Sequence, residues 1–301
     1  MSYSMCHYRS DCIHNALKTN AAKVTQNTPW DWSFDLGKSK AFRGTAKVDQ
    51  GFLHLDVDLR KTEIGGSITA ESIWDLLHLN AKTEYGVKFV LGGRPASVRL
   101  RADIPLADGP DLCSAKIREA TLGMHRALRL FQGAADSTRL DSPNPARSEV
   151  DLPALLGEVG FSFSQRANGL VVRLGVPGEF FEATIGECKL RGTVASVELQ
   201  ACNGWPNECR TALGLMLLSA TAHLRMVCAS AGLIDDHQTA ARFEVIFQGL
   251  LSAANLNHGL SALSVACRRW GKEVKAIRDV KISRTYLRTR KRDSSSKAHQ
   301  Q

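Results

Sequence analysis

The feature that most constrains this chain is that it describes a similar folding unit twice. SVRLRA at residues 97–102 is answered by SVELQA at 196–201, with Ser, Val, Leu and Ala at matching places. Both alternate apolar and polar residues, as a strand with one buried face does. Each is followed by a turn and a segment with helical spacing. Ile117, Ala120, Met124, Leu128 and Phe131 form one apolar stripe, and Leu213, Leu217, Ala220, Leu224 and Val227 form the other. Leu215, Met216 and Leu218 widen the second stripe, so that helix is expected to be buried on most sides. Upstream, AKVDQGFLHLDV and SQRANGLVVRLGV each read as two strands around a tight turn, supplied by Gly51 and by Asn168-Gly169.

The two copies are separated by QGAADSTRLDSPNPARSEV at 132–150, which has the chemistry of a linker. Its prolines break helices and it offers little apolar surface for packing. A chain of 301 residues also exceeds the size at which one hydrophobic core keeps growing. The expected organisation is a disordered segment at 1–28, a first α+β repeat at 29–131, the linker at 132–150, a second α+β repeat at 151–287 and a basic disordered tail at 288–301. In the first copy AESIWDLLHLN adds a helix. In the second, ARFEVIFQ adds a strand. Leu256, Leu260, Leu263, Cys267, Trp270, Val274 and Ile277 then follow at gaps of four and three, the seam of one long helix that tolerates Gly259 and Gly271. That helix is expected to end at Asp279 and Val280, before a short ISRTYL turn. The fold class is α+β: two related halves, each an antiparallel sheet covered by helices, arranged as a pseudo-dimer.

DLPALLGEVGFSFSQRANGLVVRL reads as a short helix carrying Leu152, Leu155, Leu156 and Val159, followed by a hairpin. From here the second half resembles the type III secretion chaperone-like fold shared by class I secretion chaperones and the YbjN group of bacterial proteins. The matching positions are the helix at 151–159, strands between 161 and 202, a helix near 208–231, a strand at 242–248 and the helix from 256. The resemblance implies an order of helix, three strands, helix, two strands, helix, and a chaperone-like role. It rests on element order and apolar pattern, and this chain is double-length and basic where secretion chaperones are small and acidic.

Residues with catalytic or ligand chemistry are scattered. Cys6, His7, Cys12 and His14 are metal ligands by type, but adjacent Cys6 and His7 do not reach one ion together and no second pair follows. His54, Asp56 and Asp58 share one face of a strand, with the carboxylates about 6–7 Å apart by the strand rise. Such a pair can do acid–base work, yet the solvated face of a half-buried strand is the simpler reading. Asp235, Asp236 and His237 fall in a loop, and Gly92-Gly93 turns a hairpin. No nucleotide-binding, hydrolase or zinc-protease motif occurs. The expectation is a non-enzymatic protein with no metal and no cofactor; the alternative is a small enzyme whose active site is assembled from residues far apart in sequence.

Two segments point to partners. WDWSFDL puts Trp30, Trp32, Phe34 and Leu36 on one strand face, either an inward core face or an aromatic strip that docks a protein or peptide segment. RTRKRDSSSK carries Arg288, Arg290, Lys291 and Arg292, which can touch nucleic acid weakly by neutralising phosphates. The tail from Arg288 holds a formal +4 of the chain's +9, leaving a mild excess elsewhere. The opening residues lack a continuous apolar run, and the most apolar stretch, ALGLMLLSATA, is about half the ~20 residues that span a bilayer. Eight cysteines without a C-x-x-C pair read as buried hydrophobes. Together these imply a cytoplasmic, protein-binding or chaperone-like module, with a nucleic-acid-associated protein using the basic tail as the alternative.

Overall fold

The strand signals assemble into two six-stranded antiparallel sheets of the same connectivity. The structure is a computed structural model that describes residues 10–36, 42–59, 70–92, 97–106, 110–133, 150–166, 169–176, 179–188, 191–235, 238–248 and 251–295. The first half runs α1 (Ser10–Asn20), β1 (Ala22–Thr28), β2 (Asp31–Leu36), β3 (Phe42–Asp49), β4 (Phe52–Asp58), α2 (Ala70–Asn80), β5 (Val87–Gly92), β6 (Ser97–Pro105) and α3 (Pro110–Phe131). The second runs α4 (Leu152–Glu158), β7 (Phe163–Arg166), β8 (Gly169–Val176), β9 (Glu179–Cys188), β10 (Gly192–Ala201), α5 (Asn207–Thr221), β11 (Val227–Asp235), β12 (Gln238–Ile246) and α6 (Ala253–Ala276), with α7 (Val280–Ser295) added. The sheet orders are β1-β2-β3-β4-β6-β5 and β7-β8-β9-β10-β12-β11. In each half a four-stranded meander is followed by a crossover helix and a hairpin whose second strand inserts beside the meander. Each half has one strand more than the order that the resemblance implies.

The two halves share one sheet topology, offset from the register read in sequence. β6, which contains SVRLRA, is the counterpart of β12. SVELQA lies in β10, the counterpart of β4. A period of two marks a half-buried strand without saying which strand pairs with it, so short alternating stretches match across non-equivalent positions. Three boundaries also move. Residues 10–28, expected as part of a disordered segment, form α1 and β1, with Ile13, Ala16 and Leu17 buried against α3. The helix expected near 208–231 ends at Thr221, and Val227 opens β11. Residues expected as a turn and a basic tail form α7, whose first backbone amides at Lys281 and Ile282 donate to the Asp279 carboxylate as an N-cap. Most of the linker lies outside the described residues.

Each sheet buries one face under its own helices. α3 covers β6 and β5. α6 crosses the second sheet, where Gly259 is required: a Cβ there would meet the Phe247 ring at 2.5 Å. The opposite faces meet through the crossover helices. α2 packs on α5 and on β11 of the other half, and α5 reciprocates on β5. Gly214 of α5 admits Ile73 of α2, whose Cγ2 would lie 2.5 Å from an added Cβ. Asn80 at the end of α2 donates to the carbonyls of both Phe89 and Ala229, tying the two edge strands to one side chain. Among the described residues no helix is long and apolar enough to cross a membrane.

Candidate nucleic-acid interface

The expected docking strip is not a surface. Trp32 and Phe34 are fully buried, and only Trp30, in the turn before β2, is 38% exposed. The reason is cross-strand complementarity. Trp32 lies opposite Ala46, and Phe34 lies opposite Gly44, where an added Cβ would meet its ring at 2.5 Å. The strip is the inward face of its sheet.

His54, Asp56 and Asp58 do share the other face of β4, but their neighbours make them structural. Asp56 is held by Arg101 at 2.7 Å and by Arg99 at 3.2 Å. His54 Nδ1 lies 2.7 Å from Asp103 of the neighbouring strand, and Lys88 Nζ lies 2.7 Å from the same carboxylate. Lys88 also donates to the carbonyls of Leu224 (2.6 Å) and Val227 (3.1 Å), Met226 N donates to Asp103 at 3.0 Å, and Arg101 donates to the Ala222 carbonyl. Charges of the first half thus bind the backbone of residues 222–227 of the second. Burial raises the Asp103 pKa, but Lys88 and then the His54 hydrogen bond override it and hold the carboxyl well below its usual range.

The grip is reciprocal. Arg191 of the second half donates to the Thr83 carbonyl at 3.0 Å and to Glu244 at 2.8 Å, and Gln248 donates to the Tyr85 carbonyl at 2.6 Å. Tyr85 and Met226, two of the four described non-glycine residues with positive φ, sit where the halves meet. A cavity of about 10 Å³, lined by Gly86, Asp103, Lys116, Met226, Gln248 and Asn255, adjoins this centre. It has room for a single water molecule and none for a substrate. Asp103 and Gln248 of its lining each bond to the opposite half, through the Met226 amide and the Tyr85 carbonyl, so the centre locks two halves together.

The other sequence candidates are dispersed. Cys12 and His14 lie on α1, while Cys6 and His7 fall outside the described residues, as do Asp236, His237 and Gly93. Asp235 ends β11 and Gly92 ends β5. Among the described residues no group of three His, Cys, Asp or Glu side chains is placed to hold a metal.

What remains is charge, and its placement is sharper than the tail alone suggested. Residues 268–292 contain eleven Lys and Arg against two acidic residues, a formal +9 equal to that of the whole chain. The other 276 residues balance at 28 basic and 28 acidic. This segment is the second half of α6, a three-residue elbow and most of α7. Val274 and Ile277 are buried on its inner side, continuing the seam of Leu263, Ala266 and Cys267 on the preceding turns of α6. Arg268, Arg269, Lys272, Lys275 and Arg278 are exposed on its outer side. On α7, Ser283 is buried and Tyr286 and Leu287 are half-buried where the helix meets α5. Lys281, Arg284, Arg288 and Arg290 are exposed.

Few of these cations are neutralised. Arg284 pairs with Glu208 at 3.0 Å, and Arg268 approaches Glu179 at 3.8 Å. Arg269, Lys272, Lys275, Arg278, Lys281, Arg288 and Arg290 have no acidic partner within ion-pair distance among the described residues. Arg288 and Arg290 were legible in the sequence as part of a tail. Lys291 and Arg292 belong to the same helix, though nothing is described of their side chains. The cations of α6 were hidden by the apolar seam, which drew the reading to the inner side of the helix. Comparison of the chain with protein-family models, with curated proteins and with solved structures finds no match.

Proposed function

We propose that this chain is a non-enzymatic binding protein that holds nucleic acid by its phosphates, through the outer faces of α6 and α7. The observation that carries the reading is the confinement of the whole formal net charge to 25 residues whose described cations are all exposed. Seven unpaired cations on one segment produce a local field suited to a polyanion. The protein- or peptide-docking reading rested on Trp30, Trp32 and Phe34, and with two of them in the core it loses that surface. An anionic membrane is the weaker polyanion here, because the apolar side of α7 is spent on α5 and is not free to enter lipid.

The test is fluorescence anisotropy of the full chain with a labelled duplex as salt is varied. If all seven unpaired cations engage phosphates, log K falls against log salt with a slope of about −6. The quadruple variant Lys272→Glu, Lys275→Glu, Lys281→Glu, Arg288→Glu removes binding and leaves the far-UV spectrum and melting temperature unchanged. Removing residues 288–301 only weakens it. Salt-independent binding, or a quadruple variant that binds like the parent, refutes the reading. Capture by anionic vesicles in preference to the duplex reassigns the surface to membranes.

A further inference from the structure

We infer that the nucleic acid held by α6 and α7 is a duplex, gripped through its phosphates without readout of base sequence; this rests on the phosphate-binding reading above. Three observations on the same segment carry it. The first concerns aromatic rings. Single-strand binders stack successive bases on exposed rings, and that stacking offsets the cost of ordering a flexible strand. The aromatic side chains beyond Phe247 are Trp270 and Tyr286, both packed against the core. Each is also covered by its own arginine. The Arg269 guanidinium lies 5.5 Å from the Trp270 ring centre and that of Arg290 lies 5.5 Å from that of Tyr286, with Arg290 Nε donating to the tyrosine hydroxyl at 3.2 Å. Half-buried and with an arginine over it, neither ring stands free as a stacking platform.

The second concerns rigidity. Arg268, Lys272 and Lys275 follow at spacings of four and three on α6, and Lys281, Arg284 and Arg288 at three and four on α7. The helix rise puts neighbours about 4.5–6 Å apart along each axis. Both rows stand on helices fixed from within, α6 by its apolar seam and α7 by Ser283, whose hydroxyl donates to the Ile277 carbonyl at 2.6 Å. A fixed array of cations suits a stiff array of phosphates, and a duplex carries its charges far more densely than a single strand.

The third concerns base recognition. Between residues 258 and 299 there is no Asn or Gln, the side chains that pair two-pronged with adenine. The exposed faces offer ammonium and guanidinium groups, with Thr285 and Thr289 between those of α7, a set that serves backbone contact and, among bases, guanine alone.

The experiment uses the full chain and one 30-nucleotide sequence in four forms: duplex DNA, each single strand, duplex RNA, and a DNA duplex of scrambled sequence, all at 0.1 M salt. With seven phosphates engaged, the difference in counterion release alone makes the duplex about 25-fold tighter than either strand. The scrambled and RNA duplexes are expected to bind within about threefold of the first, since phosphates are common to all. A single strand that binds as tightly as the duplex overturns the inference while leaving phosphate binding intact. A preference of more than about tenfold between duplexes overturns recognition without base or groove readout. Binding to none of the four overturns the underlying reading instead.

Discussion

Replacing Lys88 or Asp103 tests the claim that the polar centre is a lock between halves. Both side chains are almost completely shielded from solvent; their 2.7 Å contact joins β5 to β6 of the first half, and each also bonds to the backbone of residues 224–227 in the second. Lys88→Met removes the ammonium at similar volume and leaves Asp103 buried with His54 and the Met226 amide. Asp103→Asn keeps the shape and leaves the ammonium with two carbonyls. Each strands a buried charge, at a cost of about 3–5 kcal/mol. That is a large part of the total stability of an ordinary domain, about 5–15 kcal/mol. The double variant Lys88→Met, Asp103→Asn strands no charge. It loses the bonds of the ammonium to the Leu224 and Val227 carbonyls and the charge on the His54 contact, so its cost is expected near ~2–3 kcal/mol, about a third of the two single costs summed. Urea unfolding at pH 7, followed by circular dichroism, gives the cycle. The acid limb gives a second check. A carboxyl whose folded pKa is depressed contributes stability fully above its unfolded value of about 4 and loses it as pH falls further. The gap between the parent and Asp103→Asn therefore stays constant from pH 7 to 5 and narrows below about pH 4. Single variants costing under about 1 kcal/mol, or costs that simply add in the double variant, refute the lock.

The two glycines of α6 are expected to respond in opposite directions. Gly259→Ala drives a methyl into the Phe247 ring and destabilises by about 1–3 kcal/mol, whereas Gly271→Ala meets Phe181 at an ordinary 3.6 Å and gains about 0.5–1 kcal/mol of helix propensity, both read as shifts in melting temperature. Leu17→Ala is expected to cost about 2–5 kcal/mol because α1 is part of the core; no measurable loss in urea unfolding places residues 10–20 outside it. Burial pushes the Cys113, Cys228 and Cys267 thiols up to about 12, so at pH 8 a thiol reagent spares them in the native protein and reaches exposed Cys188. Cys188→Ser removes that reaction, and fast labelling of Cys228 contradicts the packing of α2 on β11.

Much of this fold is legible because it is written in local periodicity. The hairpin at Gly51, the helix of AESIWDLLHLN and the seam of α6 all appear where the spacing of apolar residues puts them. β11 is the instructive failure. Its VCASAGLID is made of small residues with little preference for strand, and it was absorbed into the preceding helix. Those small residues are there because α2 of the other half lies on them, a reason that exists only after both halves have folded. Lys88 was legible in principle, as the lone charge in VKFVL, a run now seen to be buried throughout. Its partner Asp103 was not, since only the register of β4 and β5 against β6 brings them together. On α7 local chemistry was underestimated: Arg, Lys and Leu are good helix formers, and with an Asp279 cap and a bed on α5 they extend the fold into what charge alone marked as tail.

The reciprocal grip between halves also sets a timetable. A ribosome completes α3 about 95 residues before it reaches Val227. At ~5–20 residues per second, the first half waits on the order of 5–20 s for the backbone that Lys88, Arg101 and Asp103 are shaped to hold. During that interval the waiting surface is mixed: the apolar residues of α2 that will meet α5, Ile73 and Leu77 among them, stand beside opposed charges, His54, Asp56, Arg99 and Arg101, which water solvates readily. Those charges keep part of the surface wet until the other half arrives to cover the rest.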